Sequence, residues 1–132
     1  MAINRNSRQF TDINLLFTAH PSTKDINVRV NEDAVKASIR NLISTRNFER
    51  PFHPEIGCQI YSLLFEPFTP IVSRVLKRTI TDAINKFEPR VNILNIKLRD
   101  NTDNNEISVE ITFKIVNTEK PLTLRTAITR VR

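Results

Sequence analysis

Residues 69–98 read TPIVSRVLKRTITDAINKFEPRVNILNIKL, and inside this stretch the apolar repeat changes from a helical period to a strand period. Thr69 followed by Pro70 is a helix start: a hydroxyl can accept from an early amide, and proline at the first helical position gives up an amide hydrogen that has no intrahelical partner. Val72, Val75, Leu76, Ile80, Ala83, Ile84 and Phe87 then share one broad side of a helix. Such a width suits burial between two layers. The opposite side carries Arg74, Lys77, Arg78, Thr81 and Asn85, with Arg78, Asp82 and Lys86 four apart as an ion-pair ladder on a solvated face. Pro89 ends the helix, because it cannot donate and it restricts the residue before it. Beyond Arg90, Leu94, Ile96 and Leu98 alternate, so the chain leaves the corner as a strand.

The alternation continues downstream. DNTDNN at 100–105 supplies a turn, Ile107, Val109, Ile111, Phe113 and Ile115 alternate without a break, and after NTEKP at 117–121 come Leu122, Leu124 and Ile128, with Thr123, Arg125 and Thr129 opposite. Upstream, Asn31 is placed to cap a helix whose first turn holds Glu32 and Asp33, and Val35, Ile39, Leu42 and Ile43 form its core-facing stripe, ending near Ser44. DINVRV at 25–30 reads as a short strand, and residues 1–24, with INLLF at 13–17, as an arm that packs onto another surface. CQIYSLLFEP at 58–67 allows a helical turn or two. The expected fold is α+β, one domain over 1–132: a small, mainly antiparallel C-terminal meander with two main helices packed on one face.

Between the first helix and that turn lies TRNFERPFHPEIG, 45–57. Prolines at 51 and 54 and the chain's single glycine, Gly57, forbid a regular helix or a central strand. Phe48, Phe52 and Ile56 suggest a loop pinned against the body. A buried Phe52 would make Phe52→Ala cost roughly 3 kcal/mol.

Composition excludes several chemistries. One glycine cannot build a P-loop or a dinucleotide fingerprint, one cysteine cannot form an internal disulfide, and His20 and His53 cannot make a histidine cage, so no cofactor or metal is expected. Cys58 reads as a small buried apolar side chain, and His53 as a structural or exposed imidazole. No run approaches ~20 apolar residues, and the first residues lack the apolar core of a secretory signal, so no membrane role and a cytoplasmic site of synthesis are expected. The net charge of +6 invites an anionic partner. Nucleic acid is disfavoured, because the outward strand positions Ser108, Glu110, Thr112 and Lys114 offer no aromatic platform. Glycoside hydrolysis has Glu49, Glu55, Glu66 and Glu88 to draw on, but no motif pairs them, so no enzymatic activity is expected.

The corner Glu88-Pro89-Arg90 has two readings. Locally, Arg90 covers the last helix carbonyls, and Glu88, unfavourable near that negative end, is rescued by a salt bridge. Alternatively, the acid and the guanidinium make a directional docking point for another chain. On that second reading Arg90→Ala leaves the fold intact, at less than ~1 kcal/mol.

The ordered set FTDIN, DAVKASIRNLI, ERPFHPEIG, LLFEP, the long helix and FEPR resembles the baseplate wedge family of contractile phage tails, often labelled lysozyme-like, whose relatives include the T-even phage wedge protein and the TssE component of type VI secretion. The resemblance spans nearly the whole chain. It implies a structural subunit of the virion tail baseplate, assembled in the host cytoplasm. It implies docking on a helical core bundle of other wedge subunits through Glu88, Pro89 and Arg90, contact with tube-proximal baseplate proteins, and a sheet on which the first ring of tail sheath assembles. It also implies a structural loop at Arg50, Pro51, Phe52, Pro54, Glu55 and Gly57. The turn before Arg50, often glycine-containing in relatives, here holds Phe48.

Overall fold

The computed structural model describes residues 11–13, 18–19, 21–25, 28–116 and 118–130. In chain order the elements are β1 (Thr11–Ile13), β2 (Val28–Val30), α1 (Glu32–Ser44), α2 (Ile60–Leu63), α3 (Pro70–Phe87), β3 (Val91–Asn101), a single 3-10 turn (Thr102–Asn104), β4 (Glu106–Ile115) and β5 (Pro121–Thr129). β1 and β2 form a small antiparallel pair, and β1 touches α1. The arm thus has a docking place at 11–13; most of INLLF, residues 14–17, lies outside the described residues.

The meander runs β3-β4-β5, antiparallel throughout, with β4 in the middle. β4 alternates without fault: Ile107, Val109, Ile111, Phe113 and Ile115 are all buried, while Ser108, Glu110, Thr112 and Lys114 point to the other face. Leu122, Leu124 and Ile128 do the same for β5. α3 packs on β3 and against α1 and α2, and α1 also reaches β5, so both long helices lie on the apolar side of the sheet. Their buried residues, Val35, Ile39, Leu42 and Ile43 from α1 and Leu76, Ile80, Ala83 and Ile84 from α3, join those of the strands in one cluster. Each fully buried aliphatic side chain contributes about 2 kcal/mol of transfer free energy. Val75, assigned to the buried stripe, is 43% exposed, because α3 is covered over a narrower arc than its apolar residues span.

Two local expectations are corrected. Leu94 is not an inward strand residue. β3 carries a bulge between Ile93 and Asn95, partners of Phe113 and Thr112, so Leu94 is the extra residue and is 53% exposed, while Ile93 and Ile96 keep their places over the core. Asn31 does stand at the start of α1, and its carbonyl accepts from the Val35 amide at 3.1 Å, but its side chain makes no capping hydrogen bond. At α3 the expectation holds: Thr69 Oγ1 accepts from the Val72 amide at 3.2 Å, with Pro70 at the first helical position. No helix among the described residues is long and apolar enough to cross a membrane.

Candidate functional site

The corner is built from the end of α3 and the start of β3. The Glu88 amide donates to the Ile84 carbonyl at 2.8 Å, and the Glu88 carbonyl accepts from Val91 at 3.2 Å, so the helix closes and the strand opens on the same residue. Arg90 is tied to the sheet by its carbonyl, which accepts from the Val116 amide at 2.8 Å. With Pro89 fixing φ between them, the two flanking side chains meet. Arg90 Nε donates to Glu88 Oε1, and Arg90 Nη2 to Oε2 at 2.8 Å, a two-pronged pair. Ser38 Oγ, from the middle of α1, donates to the same carboxylate at 2.5 Å.

Glu88 is 3% exposed, and it is the only charged residue among the buried ones described. A carboxylate at that depth is tolerated because it is both ion-paired and hydrogen-bonded. The hydrogen bonds that Arg90 donates to Glu88 in turn raise its guanidinium above its ordinary value, against the opposing effect of burial. The salt bridge of the local reading is therefore present, although Arg90 reaches the Glu88 side chain rather than the helix carbonyls. The outward parts of the corner are Pro89, which is exposed, and Arg90, whose side chain is 31% exposed. Since Arg90 is paired with a buried carboxylate, its removal is expected to leave that carboxylate half-paired.

The loop 45–57 follows the C-terminal end of α1. The Thr45 carbonyl accepts from Cys58 at 3.0 Å and the Pro54 carbonyl from Phe48 at 2.9 Å; Glu49 returns to the Arg46 amide at 2.8 Å. Tyr61 donates to the Ser44 carbonyl at 3.0 Å while the Arg46 guanidinium lies 4.3 Å over its ring. Gly57 is required by a close approach: a Cβ there would stand 2.8 Å from Arg46 C and O and Asn47 N, with φ at +157°. Behind it Cys58 is a buried free thiol, and burial pushes it up from 9.0 to about 12.

Phe52 is not a pin. It is 96% exposed and Phe48 79% exposed, while only Ile56 packs on the core. Arg50, Pro51, Pro54 and Glu55 are also exposed. The loop is anchored at its base, through Gly57, Cys58 and Ile56, and its two rings point away.

A cavity of about 340 Å³ joins the two regions: Ser38, Asn41 and Leu42 of α1, Arg50 and Ile56 of the loop, Phe87 beside the corner, and Asp12 of β1. Sequence reasoning gave Ser38 and Asp12 no role, although both lie in the stretches FTDIN and DAVKASIRNLI that carry the resemblance. A second depression, about 360 Å³, holds Glu55 and Asp82. Glu55 is held below the ordinary carboxylate value by its own backbone hydrogen bond and by His53, 3.2 Å away. That is the reverse of what a general acid needs. Glu49 and Glu66 line neither cavity. No group of three or more metal-ligating side chains occurs among the described residues.

Comparison with known proteins places this geometry. The family model described as Baseplate wedge protein gp25 matches residues 29–120, which include both the loop and the corner. The Baseplate wedge protein gp25 of Enterobacteria phage T4 is 33% identical over 94 residues, 71% of each chain. A chain of the anti-feeding prophage baseplate shares the fold with a TM-score of 0.66 at 17% identity, covering 94% of this chain and 88% of that one. A protein described as a tail lysozyme from Geobacter sulfurreducens does so with a TM-score of 0.72 at 20% identity, covering 76% and 92%.

Proposed function

The chain belongs to the gp25 family of baseplate wedge proteins, subunits of contractile-tail baseplates, and from that premise we propose that it is a purely structural part that docks on a helical core bundle of the wedge through Pro89 and Arg90. One observation carries this reading: Glu88 is spent internally, clamping Arg90 and reaching Ser38 on α1, so the acid acts as a positioning residue and the exposed part of Arg90 is held in one orientation. A guanidinium held in this way loses little further freedom on meeting carboxylates or helix-end carbonyls.

The sheet would then receive the first sheath ring by strand addition, and the edge favoured is β5. The opposite edge, β3, is bent by the bulge at Leu94, a deformation that discourages pairing. From Pro121 to Thr129, β5 has Arg125 as its one charged residue and no acid, which suits a neutral or acidic incoming strand. Contact with tube-proximal proteins and assembly in the host cytoplasm, without nucleic acid or membrane, complete the proposal.

The test is wedge reconstitution. Arg90→Ala should cost the isolated protein about 2 kcal/mol, the price of a half-paired buried carboxylate partly relieved by water. Wedge incorporation should fall far more than for Val109→Ala, a core variant of similar stability cost. Equal incorporation by the two would remove the docking role. In wedges that do form, β5 amides should gain hydrogen-exchange protection when sheath subunits are added; unchanged exchange would remove the sheath step.

A further inference from the structure

Phe48 and Phe52 share a conformation that neither side chain favours. Phe48 has φ of 66° and Phe52 of 69°, the left-handed region where a bulky residue is an outlier and glycine or asparagine is usual. Both rings also stand in water, at 79% and 96% exposure. Each residue is therefore unfavourable twice, in backbone and in side chain, and neither cost is returned by contacts within the described fold. Strain of this kind persists where the surroundings impose it, and it gathers at ligand and partner sites.

The surroundings do impose it. Gly57 packs on the backbone of Arg46 and Asn47, Cys58 pairs with Thr45, and Phe48 pairs with Pro54, so the loop that carries the rings is closed at its base and stiffened by Pro51 and Pro54. Rigid aromatic side chains on a preorganised loop are what a binding anchor needs, since little freedom remains to be lost on association.

We propose that Phe48 and Phe52 form a two-ring anchor that inserts into an apolar cleft on a neighbouring protein of the wedge, with Arg50 meeting a carboxylate at its rim. Two rings supply about 300–500 Å² of contact, well under the ~800 Å² per partner of a stable association. The anchor is accordingly one part of a larger surface rather than a self-association patch. Arg50 also lines the cavity shared with Ser38 and Phe87, so the anchor borders the Glu88–Arg90 corner and the two can meet one partner. A lipid surface fits less well, because Glu49 and Glu55 offset Arg46 and Arg50 around the rings and leave no net basic charge to draw an anionic membrane. The inference rests on the chain working inside a wedge and stands apart from the corner's docking role.

The experiment compares the full chain, Phe48→Gly with Phe52→Gly, Phe52→Tyr and Arg90→Ala, each co-expressed with the neighbouring wedge subunits of the same tail. Glycine relieves the backbone at both positions, so the double variant should melt at the same temperature or up to ~3 °C higher. Its association should weaken about tenfold or more, while Phe52→Tyr, keeping the ring, should associate nearly as the full chain does. A lowered melting temperature would assign the rings to the fold and overturn the proposal. So would full association of the double variant. If only Arg90→Ala fails to associate, the anchor falls and the corner stands; if only the double glycine variant fails, the reverse holds. Flotation with phosphatidylcholine–phosphatidylglycerol vesicles that the double variant abolishes would move the anchor to lipid and likewise overturn it.

Discussion

Phe113 and Phe52 carry the same ring to opposite ends of the exposure scale, 0% in β4, the middle strand of the sheet, and 96% in the loop. The first is one of five apolar residues at strict alternation in a strand paired on both sides, so its place is fixed by period and register. The second sits between prolines, in a segment with no period, where nothing local decides which way a side chain turns. Apolar character says that a ring is better covered than wet; it does not say which molecule does the covering. In the sheet the cover is this chain; in the loop the proposed anchor assigns it to a partner.

The contrast is tested hardest at its buried end. Phe113→Ala should lose about 4 kcal/mol in urea unfolding, a large share of the ~5–15 kcal/mol that holds a domain of this kind. A loss under ~1 kcal/mol would mean that the sheet core is as loosely packed as the loop. Next comes the hinge between the regions. Gly57→Ala, whose new methyl would meet three backbone atoms at 2.8 Å, should lose about 2–3 kcal/mol. A neutral result would show that the loop base yields, and would remove the rigid mount on which the exposed rings depend.

The effect that is smallest at neutral pH, and that grows only in alkali, lies at Cys58. The Cys58 thiol keeps its proton to about 12 in the fold, against an ordinary value of 9.0, because burial penalises the thiolate. Below pH 9 its contribution is fully present. Above that, the unfolded chain releases the proton while the folded one retains it, so stability should fall by up to about 1.4 kcal/mol per pH unit as pH rises from 9 toward 12. Cys58→Ala should remove that part of the alkaline slope; the same slope in both proteins would place the thiol in contact with water.

Much of the scaffold was readable because periodic patterns and caps are local. Thr69-Pro70 announced α3, and the runs 107–115 and 122–128 announced β4 and β5. The bulge at Leu94 was not readable, since NILNI admits two phases and only the partner residues Thr112 and Phe113 select one. At the corner, the charged pair about Pro89 was visible as a pair, and its internal bond follows from a spacing of two. Its third member, Ser38, lies 50 positions away, and no sequence rule points from a helix serine to that carboxylate. The loop misled for a related reason: its phenylalanines were weighed as core residues, whereas the strained backbone that betrays another use appears only in three dimensions.

The span between Ser38 and Glu88 also bears on the order of assembly. β3, β4 and β5 are joined by short turns, so their pairings connect stretches close in the chain and close cheaply, whereas bringing α1 onto the corner closes a far longer loop. The meander and α3 can therefore condense first and present a buried-side carboxylate that already has Arg90 beside it. α1 then arrives as a lid whose Ser38 hydroxyl completes the set, and its amides should open to solvent exchange sooner than those of β4.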